Sequence, residues 1–276
     1  MCRWRPTTPG PAKPALERTA GSMNPWQRLS VELDQWRASG RVATLWWRDD
    51  DAGAVTPALE RLLALQRDRG VPLALAAIPA RAREELACRL EHNPRIAVFQ
   101  HGYAHKNHAV EGERAIELGG ERRRERVVAE LEQGWRSLAG LFPGRLLPVM
   151  VPPWNRISPA LFPDLHALGY RALSCFAPRP RREPIAGLLQ TNCHADLIDW
   201  RRGRRFRGED RTIEQIRAHL EARRGGRADV DEATGILSHH LDHDDDCWRF
   251  LDTLLEHCNH HPGARWLEPE EACLAQ

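Results

Sequence analysis

Residues 42–65 read VATLWWRDDDAGAVTPALERLLAL, and this stretch decides the fold. An apolar, tryptophan-rich run ends in three consecutive carboxylates, Asp49, Asp50 and Asp51, with Arg48 the only local counter-charge. Thr56-Pro57 then supplies an N-cap and a proline at the first helical position, and Gly70 closes the helix. A nearly continuous apolar strand followed by a capped amphipathic helix is a βα unit, its strand covered by helices. The negative charge at its carboxyl end calls for a function.

The same unit recurs along the chain. Strands are expected near Val42–Trp47, Leu73–Ile78, Ile96–Gln100, Leu146–Val151, Ala172–Phe176, Leu188–Asn192 and Gly235–Ser238. Helical patterns fall near Pro57–Arg69, Arg81–Glu91, Glu121–Leu141, Pro159–Leu168, Thr212–Arg223 and Asp244–His257, with Ser158-Pro159 repeating the capping device. Seven such units imply a closed or nearly closed α/β barrel, with a doubly wound open sheet as the alternative. No internal repeat of fixed period is visible.

The chain has 276 residues, 42% of them hydrophobic and 28% charged, with a net charge of +2. That suffices for one sizeable core. We expect one catalytic domain over residues 24–276, preceded by a disordered extension over 1–23, rich in Pro, Thr, Ala and Arg, with Met23 an alternative start. Arginines cluster in Glu121–Val127 and in RRGRRFRG, Arg201–Gly208. Interleaved acids make most such clusters solvated faces, so no nucleic-acid partner is expected. Only RRGRRFRG is locally one-signed, and it suits an anionic partner.

Seven cysteines form no CxxC pair, which fits a reducing compartment. The first residues carry no apolar signal region, and no apolar run reaches membrane-spanning length. Together these features lead us to expect a cytoplasmic protein without a transmembrane segment.

The segments at the carboxyl ends of the strands are more informative. RDDDAG comes after the first strand, HGYAH after the third, PPWNR after the fourth, HADLIDW after the sixth and HHLDHD after the seventh. In βα folds the carboxyl ends of the strands converge on one face, where sites are built. A carboxylate with two imidazoles is a ligand set for catalytic zinc, and His101 and His105, four residues apart, both reach one ion. His108 is read as a supporting or surface residue.

RDDDAG, HGYAH, VPPWN, HADLIDW and ILSHH stand in the order of the motifs of the polysaccharide deacetylases, carbohydrate esterase family 4 (the NodB-homology type), and the sequence from Val42 to His243 resembles a divergent member of that family. The resemblance implies a distorted (β/α)7-type barrel and one divalent metal ion, Zn²⁺ by preference. It implies Asp51, His101 and His105 as ligands, Asp50 as general base and His239 as general acid. Asp49 as base with Asp50 as ligand stays open, as does His240 in place of His239 if the strand register shifts. Asp196 or Asp199 would orient the acid histidine. Pro153, Trp154 and Asn155 belong to the third motif, and Trp154 and Trp200 would wall a sugar-sized pocket. His194 and His243 add imidazoles to the same face.

Two departures stand out. Val151 occupies the place of an arginine that pairs with the catalytic aspartate, leaving Arg48 or Arg156 to supply that charge, and Ala52 replaces a glycine. Arg48 or Arg156 is also the expected partner of Asp49. The implied activity is removal of an acyl group, acetyl by preference, from an N-acylated sugar or polysaccharide. Alternatives are an allantoinase-like hydrolase of a non-sugar amide and a non-catalytic binder that keeps the fold.

Overall fold

The computed structural model describes residues 23–275, so the extension expected over residues 1–23 lies, apart from Met23, outside the described residues. Strands β1 (Ala43–Ala52), β2 (Leu73–Ala77), β3 (Ile96–His101), β4 (Leu146–Val151), β5 (Ala172–Leu173), β6 (Leu189–Gln190), β7 (Cys193–Asp196) and β10 (Thr234–Ser238) form one parallel sheet. Its order is β6-β5-β4-β3-β2-β1-β10-β7. β6 and β7 are successive parts of one run of chain, so the two ends of the sheet meet there. Thr191 N–H donates to Leu173 O (3.0 Å) and Cys193 N–H to Cys175 O (3.0 Å). The result is a distorted (β/α)7 barrel, and the open-sheet alternative is set aside.

Two further strands, β8 (Ile198–Asp199) and β9 (Arg205–Phe206), make a small antiparallel hairpin, and β11 (Ala264–Trp266) runs parallel to the start of β1. The helices are α1 (Pro25–Ala38), α2 (Pro57–Arg69), α3 (Glu84–Leu90), α4 (Arg124–Leu141), α5 (Phe162–Ala167), α6 (Glu209–Arg224), α7 (Asp245–His260) and α8 (Pro269–Leu274). Thr56 caps α2 by accepting the Leu59 N–H at 3.1 Å, and Gly70 ends it at φ 62°. Ser158 makes no side-chain cap, and the helix expected after it begins as a 3-10 turn.

α1, α8 and β11 are not among the elements expected from the sequence. α1 nevertheless carries a reciprocal capping box between Asn24 and Gln27, and buries Leu29, Leu33 and Trp36 along one stripe. The sixth strand runs on past Asn192 to Asp196, where the period-2 pattern is broken by a register shift opposite Gly235–Ile236.

Along β1 the side chains alternate between two cores. Trp46 points into the barrel with Ala74, Ala76, Phe99, Val149 and Ala172. Leu45 and Trp47 face outward to the helices with Leu59, Leu62, Leu251 and Leu254. Alanines opposite leave room for the indole, and a Cβ at Gly235 would stand 2.5 Å from Trp46 Nε1. The same alternation sends Arg48 across the interior to β5, on the far side of the barrel.

Candidate functional site

The tip of β1 gives each of its four charged residues a different environment. Arg48 and Asp50 keep to the strand period and point inward. The Arg48 Nε lies 2.8 Å from Asp50 Oδ1, and one terminal nitrogen donates to Asp50 Oδ2 at 3.0 Å. That guanidinium also donates to Asn155 Oδ1 (2.7 Å) and to Ser174 O (3.0 Å) and Oγ (2.7 Å). Arg48 is 0% exposed, and burial would lower its pKa, but the Asp50 charge holds it above the usual arginine value.

Of the two arginines considered for the place of the absent motif arginine, Arg48 therefore meets the aspartate. Val151 is buried in the barrel wall, while Arg156 donates to Ala115 O at 2.7 Å.

Asp49 points outward, and neither Arg48 nor Arg156 is its partner. Its carboxylate accepts Ser238 Oγ–H (2.6 Å) and His240 N–H (3.1 Å), and lies 2.5 Å from His240 Nδ1. The expectation of an arginine partner fails because period 2 puts residues 48 and 49 on opposite faces of the strand. Asp49 thus ties down both chain neighbours of His239. Its carboxyl is fully buried, which alone would raise its pKa, yet the charge and hydrogen bond of His240 hold it below the usual range.

Asp51 would share the outward face of Asp49 if the strand continued regularly. A register shift between Asp49 and Ala52, and a left-handed Asp51 (φ 73°), turn it back over the barrel mouth. There Asp51 Oδ1 lies 3.4 Å from His101 Nε2 and 3.2 Å from His105 Nε2. His101 Nδ1 is 2.9 Å from Val151 O, which can only accept, so in the neutral ring the Nε2 lone pair faces the carboxylate. Asp51 Oδ1 is buried without a hydrogen-bond donor. Facing lone pairs in a buried cluster call for a cation, and one carboxylate with two imidazoles is a donor set that fits a divalent ion.

The loop carrying His105 is held by Glu117, a residue that the sequence motifs do not single out. This buried carboxylate accepts N–H groups from Tyr103 (3.1 Å), Ala104 (2.8 Å) and Lys106 (3.2 Å). Gly102 (φ 53°) allows the approach, since a Cβ there would stand 2.1 Å from Glu117 Oε2. Nothing in the locally charged stretch ERAIELGG marks Glu117 as buried.

His239 lies between two carboxylates. Its Nε2 is 3.9 Å from Asp50 Oδ2, and its Nδ1 is 3.9 Å from Asp196 Oδ1. Asp196 accepts Ile198 N–H (2.9 Å) and Trp200 Nε1–H (2.7 Å), and burial raises its pKa. The Trp200 ring meets His239 edge-on at 4.7 Å, and Trp154 (φ 55°) packs on His105 at 4.4 Å. Asp199 is paired with Arg211 (3.1 Å) in the cavity wall. Asp50, Asp51, His101, His105, Trp154, Asn155, Arg156, Asp196, Asp199, Trp200 and His239 all line one cavity of about 1190 Å³ at the carboxyl ends of the strands.

Besides Arg48 and Asp49, which lie beneath and outside it, four expected residues do not line it. Pro153 is buried behind the mouth against Gly102, and His240 is taken by Asp49. His243 lies behind the strand tip with its ring against Trp248 (4.4 Å), and burial lowers its pKa to about 4. His194 is stacked on His219 (3.3 Å, 10°), because the register shift in β7 turns it toward α6. His219 and Glu232 complete a second buried cluster there. Gly235 N–H donates to His194 Nδ1 at 3.0 Å, so in the neutral ring the proton sits on Nε2, and His194 offers no free lone pair toward Glu232.

No protein-family profile matches the sequence, and no curated protein matches it. Solved structures do. A protein of Mycobacterium smegmatis provisionally described as a polysaccharide deacetylase is 14% identical, with a TM-score of 0.59 over 82% of this chain and 86% of that one. A peptidoglycan N-acetylglucosamine deacetylase is 14% identical, with a TM-score of 0.52 over 86% and 95%. A family 4 pseudoenzyme from Bacillus anthracis is 12% identical, with a TM-score of 0.51 over 82% and 64%. The chain therefore shares the fold of the family 4 carbohydrate esterases.

Proposed function

We propose that the protein is a family 4 carbohydrate esterase, a metal-dependent hydrolase that removes an acyl group, acetyl by preference, from an N-acylated sugar. One observation carries this reading: Asp50 and His239 stand beside the Asp51–His101–His105 ligand set in a single cavity. The resemblance of the motifs and the shared fold support it.

Asp51, His101 and His105 would hold one divalent ion, zinc by donor type. When bound, it supplies Lewis acidity toward the acyl carbonyl and a strongly lowered pKa for water. Asp50 takes the proton of the attacking water, and its two-point contact with Arg48 fixes the carboxylate. His239 delivers a proton to the departing amine nitrogen, with the Asp196 carboxylate 3.9 Å from its Nδ1 and the Trp200 ring packed edge-on against it. The faces of Trp154 and Trp200 receive the sugar.

The non-catalytic alternative drew its support from the missing motif arginine. Arg48 beside Asp50 supplies a positive charge at that place and so favours the catalytic reading.

The test combines metal analysis of the purified protein with acetate release from N-acetylglucosamine oligomers, and with ureides and simple amides as a control panel. Asp51→Ala is expected to lose both the metal and turnover. Retention of both, or turnover of ureides alone, overturns the reading.

A further inference from the structure

The cavity walls carry more positive charge than the acids around them balance. Arg81, Arg114, Arg156, Arg201, Arg204 and Arg207 all line it. Of the lining carboxylates, Asp50 is matched by Arg48 beneath it, Asp199 by Arg211 and Asp242 by Arg204 (3.0 Å). Asp51 faces the two ligand imidazoles. Asp196 is held by Trp200 and by a backbone amide.

Among the described residues, no carboxylate lies within ion-pair distance of Arg81, Arg114, Arg156 or Arg201. Arg207 is fixed by two backbone carbonyls, Asp196 O and Ile198 O, each at 2.8 Å.

Arg114 and Arg156 are close enough that the Arg114 charge, after burial, lowers the pKa of Arg156. The exposed Arg114 and the partly buried Arg156 thus put two like charges on one stretch of the cavity wall, with no carboxylate in ion-pair distance of either. They become favourable once an anion enters. The β8–β9 hairpin brings Arg201, from the one-signed run RRGRRFRG, to the same cavity.

We infer that the acylated substrate bears an anionic group, phosphate or carboxylate, which Arg114, Arg156 and Arg201 receive while the acyl amide lies against Asp50 and His239. This assignment rests on the reading of the site given above and narrows it from acylated sugars in general to charged ones. A neutral chitin-like or xylan-like chain would leave these guanidinium groups unpaired.

The zinc-loaded protein should be assayed with N-acetylglucosamine 1-phosphate and N-acetylmuramic acid against neutral N-acetylglucosamine and its neutral trimer. Direct binding of the same four compounds should be measured by calorimetry. The expected result is a kcat/KM advantage of about tenfold or more for a charged compound, residing in KM. That advantage should collapse toward one in the Arg114→Gln/Arg156→Gln double variant, in Arg201→Gln, and in about 0.5 M salt. The phosphate and carboxylate arms show which anion fits.

Neutral trimer handled as well as the charged compounds, or an advantage untouched by the substitutions, overturns the inference while leaving the hydrolase reading intact. Arginine-dependent binding of a charged compound with no acyl release from any of them supports the anion site and sinks the hydrolase reading. Absence of both overturns both.

Discussion

At the residue scale, the three aspartates illustrate how a strand tip separates like charges. Asp50 shares Arg48, Asp49 shares His240 and Ser238, and Asp51 faces two imidazoles, so no two of them compete for one partner. Arg48→Met would leave Asp50 buried without a counter-charge. We expect a loss of about 3–5 kcal/mol of stability, read as a large fall in melting temperature. Arg48→Lys keeps the charge but not the two-point fork, so acyl release should fall roughly 10- to 100-fold with a smaller loss of stability. Equal turnover in Arg48→Lys and the parent would show that orientation of Asp50 is immaterial. Asp49→Asn should loosen both neighbours of His239 at a cost of about 1–3 kcal/mol. Its kcat should fall further than its folded fraction, with KM and metal content held. A fall in kcat that only tracks the folded fraction would reduce Asp49 to a structural residue.

At the scale of elements, the join between β7 and α6 carries a pH dependence. Burial holds the pKa of His219 down to about 2, and that of His194 well below 6.5, so both rings stay neutral in the fold. The unfolded chain takes up protons below about pH 6.5, so the stability they contribute is complete above that pH and is lost as pH falls. The slope is about 1.4 kcal/mol per pH unit for each histidine. Glu232, whose pKa burial raises, has the opposite sign, since its contribution fades as pH rises through its folded pKa. It therefore offsets part of the slope. Melting temperatures at about pH 7 and about pH 5 should drop steeply in the parent protein and less steeply in His219→Gln. Identical drops would locate the acid sensitivity elsewhere.

For the whole molecule, an ion held by Asp51 at the end of β1, His101 at the end of β3 and His105 in the loop after it would tie together chain segments distant in sequence. Anything that binds only the folded state stabilises it, by about 2.7 kcal/mol at a hundredfold excess over Kd. Chelator-treated protein should therefore melt several degrees lower than zinc-loaded protein, and zinc should restore the difference. In Asp51→Ala the zinc increment should vanish. If that variant keeps the full increment, the stabilising ion sits elsewhere.

The alternation of apolar strands and capped helices, and the polar motifs after five strands, are local patterns, so the sequence by itself determined the βα architecture and the face that bears the site. It also carried the spacing of His101 and His105 and the helical pattern that becomes α7. Tertiary structure alone decided the rest. A one-residue offset reverses a side chain's face, so Asp49 and Asp51, both odd positions, parted company only through a register shift and a positive φ at Asp51. The same kind of shift turned His194 from the site toward α6. Arg48 meets Asp50 as its neighbour two along on one strand face, but only barrel closure anchors the guanidinium on Ser174 and Asn155, and Glu117 organises the His105 loop only through the way the β3–α4 connection folds back. Those pairings depend on the direction of a side chain in space, which no local pattern of residue types encodes.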